Sequence, residues 1–138
     1  MTTAFLLQRG GDRPADLRRP GRRERLAHDD SRVLLCARCR HVVTTIAARI
    51  EVSGGHAHTF ANPHGFVFHI VCFAEAPGCA AVGKPTTHFT WFPGFAWQVA
   101  SCRECREHLG WLFLGPDDRF HGLIEERLVE ANVTDRAH

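Results

Sequence analysis

Four of the six cysteines occur as two pairs whose spacing suits a metal ion. Cys36 and Cys39 form the first Cys-x-x-Cys pair, and Cys102 and Cys105 form the second. Two intervening residues let one turn present both thiolates to the same ion, and Zn²⁺ prefers tetrahedral sulfur and nitrogen ligands. The pattern therefore predicts one zinc ion held by all four residues. Four protein ligands close the coordination shell, so this zinc is expected to be structural. Two unrelated pairs or a redox dithiol are the alternatives.

The other two cysteines are not expected to take part in chemistry. Cys72 falls within an apolar run and should be buried and inert. Cys79 follows Pro77-Gly78 in a segment that resembles a loop, and no adjacent Lys or Arg is present to activate its thiol.

The three tryptophans fall close together in a chain that has no tyrosine. Trp91 and Trp97 flank a Pro93-Gly94 turn, and Trp111 lies just past the second cysteine pair. A turn at that pair would send the chain back, so the strands carrying Trp97 and Trp111 can lie side by side. Indole faces are electron-rich and suit a ring with electron-poor edges, or a cation. The alternative is three core tryptophans whose N–H groups are satisfied internally.

Short strand-like runs separated by turn residues begin at Val33 and predict a mainly β domain. The expected strands are 33–35, 42–46, 49–52, 58–61, 66–73, 95–100 and 111–114. Segment 75–85 is expected to be a loop because it contains two prolines and two glycines. Segment 121–129 is ambiguous, with a strand at 122–124 or a last helix at 125–129.

Length and charge indicate one domain with a separate N-terminal segment. The chain has 138 residues, which suits one domain. Residues 1–30 are rich in Arg, Gly and Pro and are expected to form a disordered tail. Residues 31–130 are expected to form the domain, and 131–138 a short C-terminal tail. Residues 31–138 hold equal numbers of basic and acidic side chains, which argues against nucleic-acid binding.

No segment is expected to enter a membrane or direct export. The chain lacks an apolar run of about 18 residues. The apolar stretch Ala4–Leu7 is too short for a secretory signal, so a cytoplasmic location is expected.

One long motif resembles a known family. The run FTWFPGFAWQVASCRECREHLGWLFLG, with the upstream segments CARC and TFANPHGFVF, resembles the thalidomide-binding (CULT) domain family of cereblon. It is most similar to the short single-domain bacterial homologues. The resemblance extends over about residues 33–129.

The resemblance implies a fold and a set of site residues. The family fold is a β-tent, in which two antiparallel β-sheets are pinned by a structural zinc. Carried over by position, the zinc ligands are Cys36, Cys39, Cys102 and Cys105. The same carry-over gives a ligand site whose members are Trp91, Trp97 and Trp111 as cage walls, Phe113 as the floor, Phe89 and Thr90 in a strand segment that offers backbone groups with Trp91, and Asn62 and Pro63 in the bordering loop.

The implied function is binding without catalysis. The expected ligand is a cyclic imide with a glutarimide-like ring, and the family also allows a uridine-like ring or a cyclic imide at a protein C-terminus. Nothing in this chain corresponds to the part of cereblon that docks a ubiquitin-ligase adaptor. Cereblon has a histidine where this chain has Phe89, which removes one side-chain hydrogen bond to the imide.

Three other functions are compatible with parts of the sequence. Methionine-R-sulfoxide reductases share the fold and the paired cysteines, but they need a nucleophilic Cys near the C-terminus, and none follows Cys105. An RNA-end-binding β-tent domain would use the Arg-rich tail and the histidines. The residues concerned are His56, His58, His64 and His69, of which the first two could bind a second metal. A quaternary-ammonium reader would need an acidic residue in the cage, and none lies between Lys84 and Ala100.

Overall fold

The computed structural model describes residues 32–133, which form two antiparallel β-sheets. The nine strands are β1 (Arg32–Cys36), β2 (Val42–Thr45), β3 (Ala57–Ala61), β4 (Val67–Phe73), β5 (Cys79–Thr86), β6 (Ala96–Cys102), β7 (His108–Leu114), β8 (Arg119–Ile124) and β9 (Leu128–Asn132). Two single 3-10 turns, Ile46–Ala48 and Glu125–Arg127, complete the regular structure of this range. No helix within it is long and apolar enough to cross a membrane.

The strand order brings distant parts of the sequence together. The small sheet has the order β2-β1-β9, and the large sheet has the order β3-β4-β8-β7-β6-β5. The first and last strands pair along their whole length, with Arg32 opposite Asn132 and Cys36 opposite Leu128. The beginning and end of the domain therefore close the small sheet, while the segments between them build the large one.

The two faces of the large sheet supply two hydrophobic clusters. Because side chains alternate along a strand, β4 directs Val71 and Phe73 to one face and Ile70 and Cys72 to the other. The first face packs against buried residues of β1 and β2. The second face carries a cluster rich in aromatic rings that includes Trp111. The cysteine pairs belong to the first cluster and the tryptophans to the second, so one sheet positions both candidate sites.

Most predicted strands are confirmed with small shifts at their ends, and one predicted loop is wrong. Segment 75–85 contains β5, which pairs with β6 in a register that is interrupted between Val82 and Thr86. Gly83 has a positive φ of 83° and Pro85 lies near the end of the strand. Both residues are tolerated because β5 is an edge strand, where a proline leaves no ladder hydrogen bond unmade.

Two further segments differ from the predicted elements. Segment 49–52 is not a strand, since Arg49 and Val52 form only isolated bridges. The segment Phe89-Thr90-Trp91 is a turn and not a strand, and the Thr90 amide donates to the carbonyl of Thr87 at 3.2 Å. The ambiguous segment 121–129 resolves into the end of β8, a 3-10 turn and the start of β9, with no α-helix.

The predicted domain limits can be compared with the strands only in part. Strand β9 continues through Asn132, two residues beyond the expected boundary at 130. The tail predicted for residues 1–30 lies outside the described residues, as do residues 134–138.

Candidate functional site

Each cysteine pair lies in a tight turn, and the two turns have matching hydrogen bonds. In the first, the Arg40 amide donates to the Cys36 carbonyl at 2.8 Å. In the second, the Arg106 amide donates to the Cys102 carbonyl at 2.9 Å. Arg40 and Arg106 have positive φ angles of 70° and 68°. We call these two turns, residues 36–40 and 102–106, the knuckles.

The knuckles bring the four thiols into one cluster. All four sulfur atoms lie within 4.8 Å of one another. The Sγ atoms of Cys36 and Cys105 are 3.7 Å apart, and those of Cys39 and Cys102 are 3.6 Å apart. Zn–S bonds of about 2.3 Å in a tetrahedron give sulfur–sulfur distances of about 3.8 Å. The donor set and its spacing therefore fit a tetrahedral Zn²⁺ centre.

The backbone of the second knuckle favours the thiolate form. Burial works against ionisation of Cys102, but hydrogen bonds from the amides of Cys105 and Glu104, together with those from the Cys39 and Cys105 thiols, lower the pKa of the thiol. The Glu104 amide lies 3.4 Å from Cys102 Sγ. Burial is the larger influence at Cys36 and raises the pKa of that thiol. A bound cation would supply the stabilisation that the protein alone does not give to Cys36.

The two remaining cysteines are buried. Cys72 is fully enclosed in the aromatic cluster, and burial strongly raises the pKa of its thiol. Cys79 is not in a loop but begins β5, directly opposite Cys102. Burial, reinforced by the negative charge that Cys102 can carry, raises the pKa of Cys79 to about 12. Both thiols are protonated near neutral pH and are poor nucleophiles.

The register of β6 and β7 assembles one side of an aromatic pocket. Trp97 lies opposite Phe113, and Val99 lies opposite Trp111. These four side chains share one face of the sheet. Gly110 allows this arrangement, because a Cβ atom there would lie 2.2 Å from the carbonyl oxygen of Gly122 on β8. The prediction that the strands carrying Trp97 and Trp111 are neighbours is confirmed.

Trp91 reaches the same pocket from the turn between β5 and β6. Its ring centroid lies 4.7 Å from that of Trp111, at an interplanar angle of 74°. The other side of Trp91 stacks on Phe60 of β3 at 4.9 Å. Its indole N–H donates to the Ala61 carbonyl at 3.1 Å, which ties the turn to the end of β3.

The tryptophans serve as both packing residues and pocket walls. The indole N–H of Trp97 donates to the His88 carbonyl at 2.8 Å, so it is satisfied internally, as that of Trp91 is. The three indoles nevertheless line a cavity of about 690 Å³. Core packing and pocket lining therefore do not exclude each other, because the N–H groups of Trp91 and Trp97 anchor these two walls while the ring faces still line the cavity.

The cavity is lined by apolar, amide and imidazole groups only. Its lining residues are Asn62, Pro63, His64, Phe68, His88, Phe89, Trp91, Trp97, Val99, His108, Trp111 and Phe113. No Asp, Glu, Lys or Arg is among them. Charged ligands would therefore lack a direct ionic partner in the described part of the pocket.

The predicted ligand-site residues occupy different positions around this cavity. Asn62 and Pro63 border it, and the Asn62 side-chain oxygen accepts from the amides of His64 and Phe66, which fixes the β3–β4 turn. Phe113 lines it while remaining 1% exposed. Thr90 does not line it, and its hydroxyl instead contacts the Phe92 backbone within the turn.

Phe89 stands at the rim of the cavity in an unusual conformation. Its side chain is 63% exposed and its φ is 56°, in the left-handed region that L-residues rarely adopt. The His88 ring packs edge-on against it, with centroids 4.4 Å apart. Strain of this kind is often found where a ligand contacts the backbone.

Five residues that line the cavity are absent from the predicted site: His64, Phe68, His88, Val99 and His108. Phe68 lies 5.2 Å from Trp111 and 6.0 Å from Trp91, measured between ring centroids. His108 packs edge-on against Trp111 at 4.9 Å. Strand alternation places Phe68 on the same face as Ile70 and Cys72, so the strand prediction alone could have assigned Phe68 to this face.

The histidines proposed as a second metal site are engaged otherwise. His56 Nδ1 lies 3.1 Å from the Ile50 carbonyl, and His58 Nε2 lies 2.9 Å from the Val52 carbonyl. Within residues 32–133, the cysteine cluster is the one group of three or more metal-ligating side chains close enough to share an ion. His64 lines the cavity, and His69 bonds to Thr59 on the outer surface of β3 and β4.

Together, these features define a two-sheet β domain with a four-cysteine cluster and an aromatic pocket. Curated proteins similar to this chain are named cereblon. The zebrafish (Danio rerio) protein is 35% identical over 106 residues, which cover 70% of this chain and 24% of that protein. The Xenopus tropicalis protein is 34% identical over 115 residues, covering 72% and 26%. The Drosophila melanogaster protein is 28% identical over 87 residues, covering 61% and 15%.

These similarities, together with the fold, show that the chain contains a cereblon-like domain. The chain spans about a quarter of the length of the vertebrate relatives it matches. No family model matches the sequence. The closer resemblance to bacterial single-domain homologues stays a prediction.

Proposed function

We propose that this domain binds a small, uncharged cyclic imide in the pocket formed by Trp91, Trp97 and Trp111. The main support for this proposal is a cavity that has three indole walls and no Asp, Glu, Lys or Arg in its lining. Imide carbonyls polarise the ring CH₂ groups, which then pack favourably against electron-rich indole faces. A largely preformed apolar pocket also loses little entropy when a rigid ring enters.

The backbone beside the cage has free groups that can form hydrogen bonds with the imide. Among residues 32–133, no hydrogen-bond partner is present for the amide or carbonyl of Phe89 or of Trp91. An imide offers an acceptor–donor–acceptor edge that such groups can match. The glutarimide-like ring is therefore the preferred ligand, and a uridine-like ring or a C-terminal cyclic imide of a protein presents the same edge.

We propose a structural Zn²⁺ in the cysteine cluster and no catalytic activity. A reductase mechanism would need a reactive thiol, yet no cysteine follows Cys105, and burial raises the pKa of both Cys72 and Cys79. The pocket also lacks the Lys or Arg that an RNA-end reader would use for phosphate. Partners beyond the imide, a ubiquitin-ligase adaptor included, form no part of this proposal, and a cytoplasmic location is in keeping with it.

Intrinsic tryptophan fluorescence tests the ligand proposal. Glutarimide should change the emission with an affinity on the order of micromolar, which corresponds to about −8 kcal/mol. N-Methylglutarimide should bind far more weakly, because methylation removes the ring's strong donor and adds bulk at the reading edge. Tetramethylammonium should not compete. Equal binding of the two imides would show that the pocket is an unspecific aromatic slot.

A further inference from the structure

Each knuckle ends in an arginine at a backbone position that suits glycine better. Arg40 and Arg106 follow the second cysteine of their knuckles, with φ angles of 70° and 68°. The turn requires this conformation, because each amide donates back to the first cysteine's carbonyl. For residues other than glycine this region is strained. Arginine thus occupies two positions at which its backbone is less favourable than that of glycine.

Neither arginine is neutralised by a neighbouring acid. Arg40 and Arg106 are exposed, and among residues 32–133 their guanidinium groups form no ion pair or hydrogen bond. The other two knuckle arginines have partners. Arg38 pairs at 3.2 Å with Glu107, the residue that follows the second knuckle, and Arg103 donates to the Pro77 carbonyl at 2.9 Å. Arg40 and Arg106 each follow a cysteine of the cluster in the sequence, and their positive charge has no acidic partner among residues 32–133.

A loaded cysteine cluster would need such charge. Four thiolates around one Zn²⁺ leave a net charge of −2. Cys36 and Cys102 are buried, so part of this charge is removed from water. Nearby cations stabilise buried anions and favour the ionised form of thiols.

We propose that Arg40 and Arg106 form a cationic collar that offsets the negative charge of the metal-loaded cluster and strengthens metal retention. The inference rests on the metal-binding part of the proposed function and is independent of the ligand in the pocket.

Competition with a zinc chelator tests the collar on the full zinc-loaded chain. The double variant Arg40→Gln/Arg106→Gln should hold zinc roughly tenfold less tightly, since two unit charges are lost near a doubly charged centre. Arg40→Lys/Arg106→Lys should restore retention. Arg119→Gln removes an exposed arginine at the far end of β7 and β8, opposite Leu114, and should leave retention unchanged.

Salt and glycine variants separate charge from backbone effects. At about 1 M salt the Debye length falls to about 3 Å, so the difference between wild type and the glutamine variant should shrink. Arg40→Gly/Arg106→Gly relieves the strain and keeps the knuckle fold accessible, yet it should still hold zinc less tightly than wild type. Zinc retention by the glutamine variant that equals that of the wild type at low salt would overturn the collar, because this variant keeps the strained backbone and loses only the charge. A wild-type chain that binds no zinc would instead refute the metal proposal itself.

Discussion

The cysteine cluster and the aromatic pocket are built from one sheet in different ways. Each half of the cluster is local: a run of five residues forms a knuckle with its own hydrogen bonds, and the two halves match. The pocket has no such unit, since its walls come from β4, β6, β7 and two irregular turns. The comparison suggests that the cluster determines whether the domain folds, whereas the pocket can lose a wall and leave the fold intact.

Loss of a metal ligand should have the largest effect. Structural zinc contributes about 10–16 kcal/mol of folding free energy in small domains, which matches or exceeds a typical domain's whole stability. Cys36→Ser or removal of zinc by a strong chelator should therefore unfold the protein, as measured by circular dichroism. Cys72→Ala, in the other buried cluster, is the matched control and should keep both fold and zinc. A native spectrum for metal-free Cys36→Ser would show that the domain folds without the cysteine cluster.

Removal of one cage wall tests whether the pocket can lose a tryptophan while the fold and the zinc site stay intact. Trp97 is half-buried, so Trp97→Ala should weaken glutarimide binding by roughly 2–4 kcal/mol, the scale of aromatic hot spots. Zinc content should stay at about one per chain, as determined by elemental analysis. Gln98→Ala removes the neighbouring side chain on the opposite face of β6 and should leave affinity unchanged. Trp97→Phe separates the contribution of the aromatic ring from that of the indole N–H, because it keeps a ring but loses the hydrogen bond to the His88 carbonyl.

This difference also explains how far the sequence could predict the structure. The cluster follows from the spacing of Cys36, Cys39, Cys102 and Cys105, because two residues between cysteines suffice to form each knuckle. The neighbouring strands of Trp97 and Trp111 follow from the return of the chain at the second knuckle. Strand β5 was missed because its glycines and prolines indicate a loop, and only its edge position in the sheet makes them acceptable.

The turn that carries Trp91 could not be derived from local pattern. Family resemblance suggested a strand at residues 89–91, but long-range contacts decide the conformation: Trp91 is tied to Ala61 and stacked on Phe60, both on β3. Phe68 enters the pocket through the register of β4, which depends on tertiary packing as well as on alternation.

Acid should weaken the fold through His121, a partly buried histidine that belongs to neither site. Burial, together with the charge of Arg119, lowers the pKa of His121 to about 4, and its Nδ1 atom has no hydrogen-bond partner. The unfolded chain takes up this proton near pH 6.5, while the folded chain stays neutral until about pH 4. Stability is therefore full above pH 6.5 and falls as the pH drops towards 4, by up to about 3 kcal/mol.

Denaturant unfolding at a series of pH values measures this loss. His121→Phe should flatten the profile between pH 6.5 and 4, because the variant has no group there to protonate. Replacement of His69, which is exposed on β4, is the control and should leave the loss of stability between pH 6.5 and 4 unchanged. Burial also lowers the pKa values of His56 and His108, so some acid sensitivity should remain in the variant. A profile identical to that of the wild type would rule out His121 as a source.

The smallest expected effect is a gain at the rim of the pocket. Phe89→His should tighten glutarimide binding by about 0.5–1.5 kcal/mol, the net contribution of a typical hydrogen bond. The change should not harm the fold, because residue 89 has a φ of 56° and histidine adopts the left-handed region more readily than phenylalanine.

Phe89→Asn is the matched control, since asparagine also tolerates this conformation but its side chain is shorter. Calorimetric titration of all three proteins separates the two causes. A gain with histidine alone indicates a new contact from the imidazole, whereas an equal gain with asparagine indicates relief of backbone strain. Weaker binding by both variants would mean that the exposed phenyl ring is itself part of the pocket wall, and that the rim, like the cage beneath it, binds through aromatic surface.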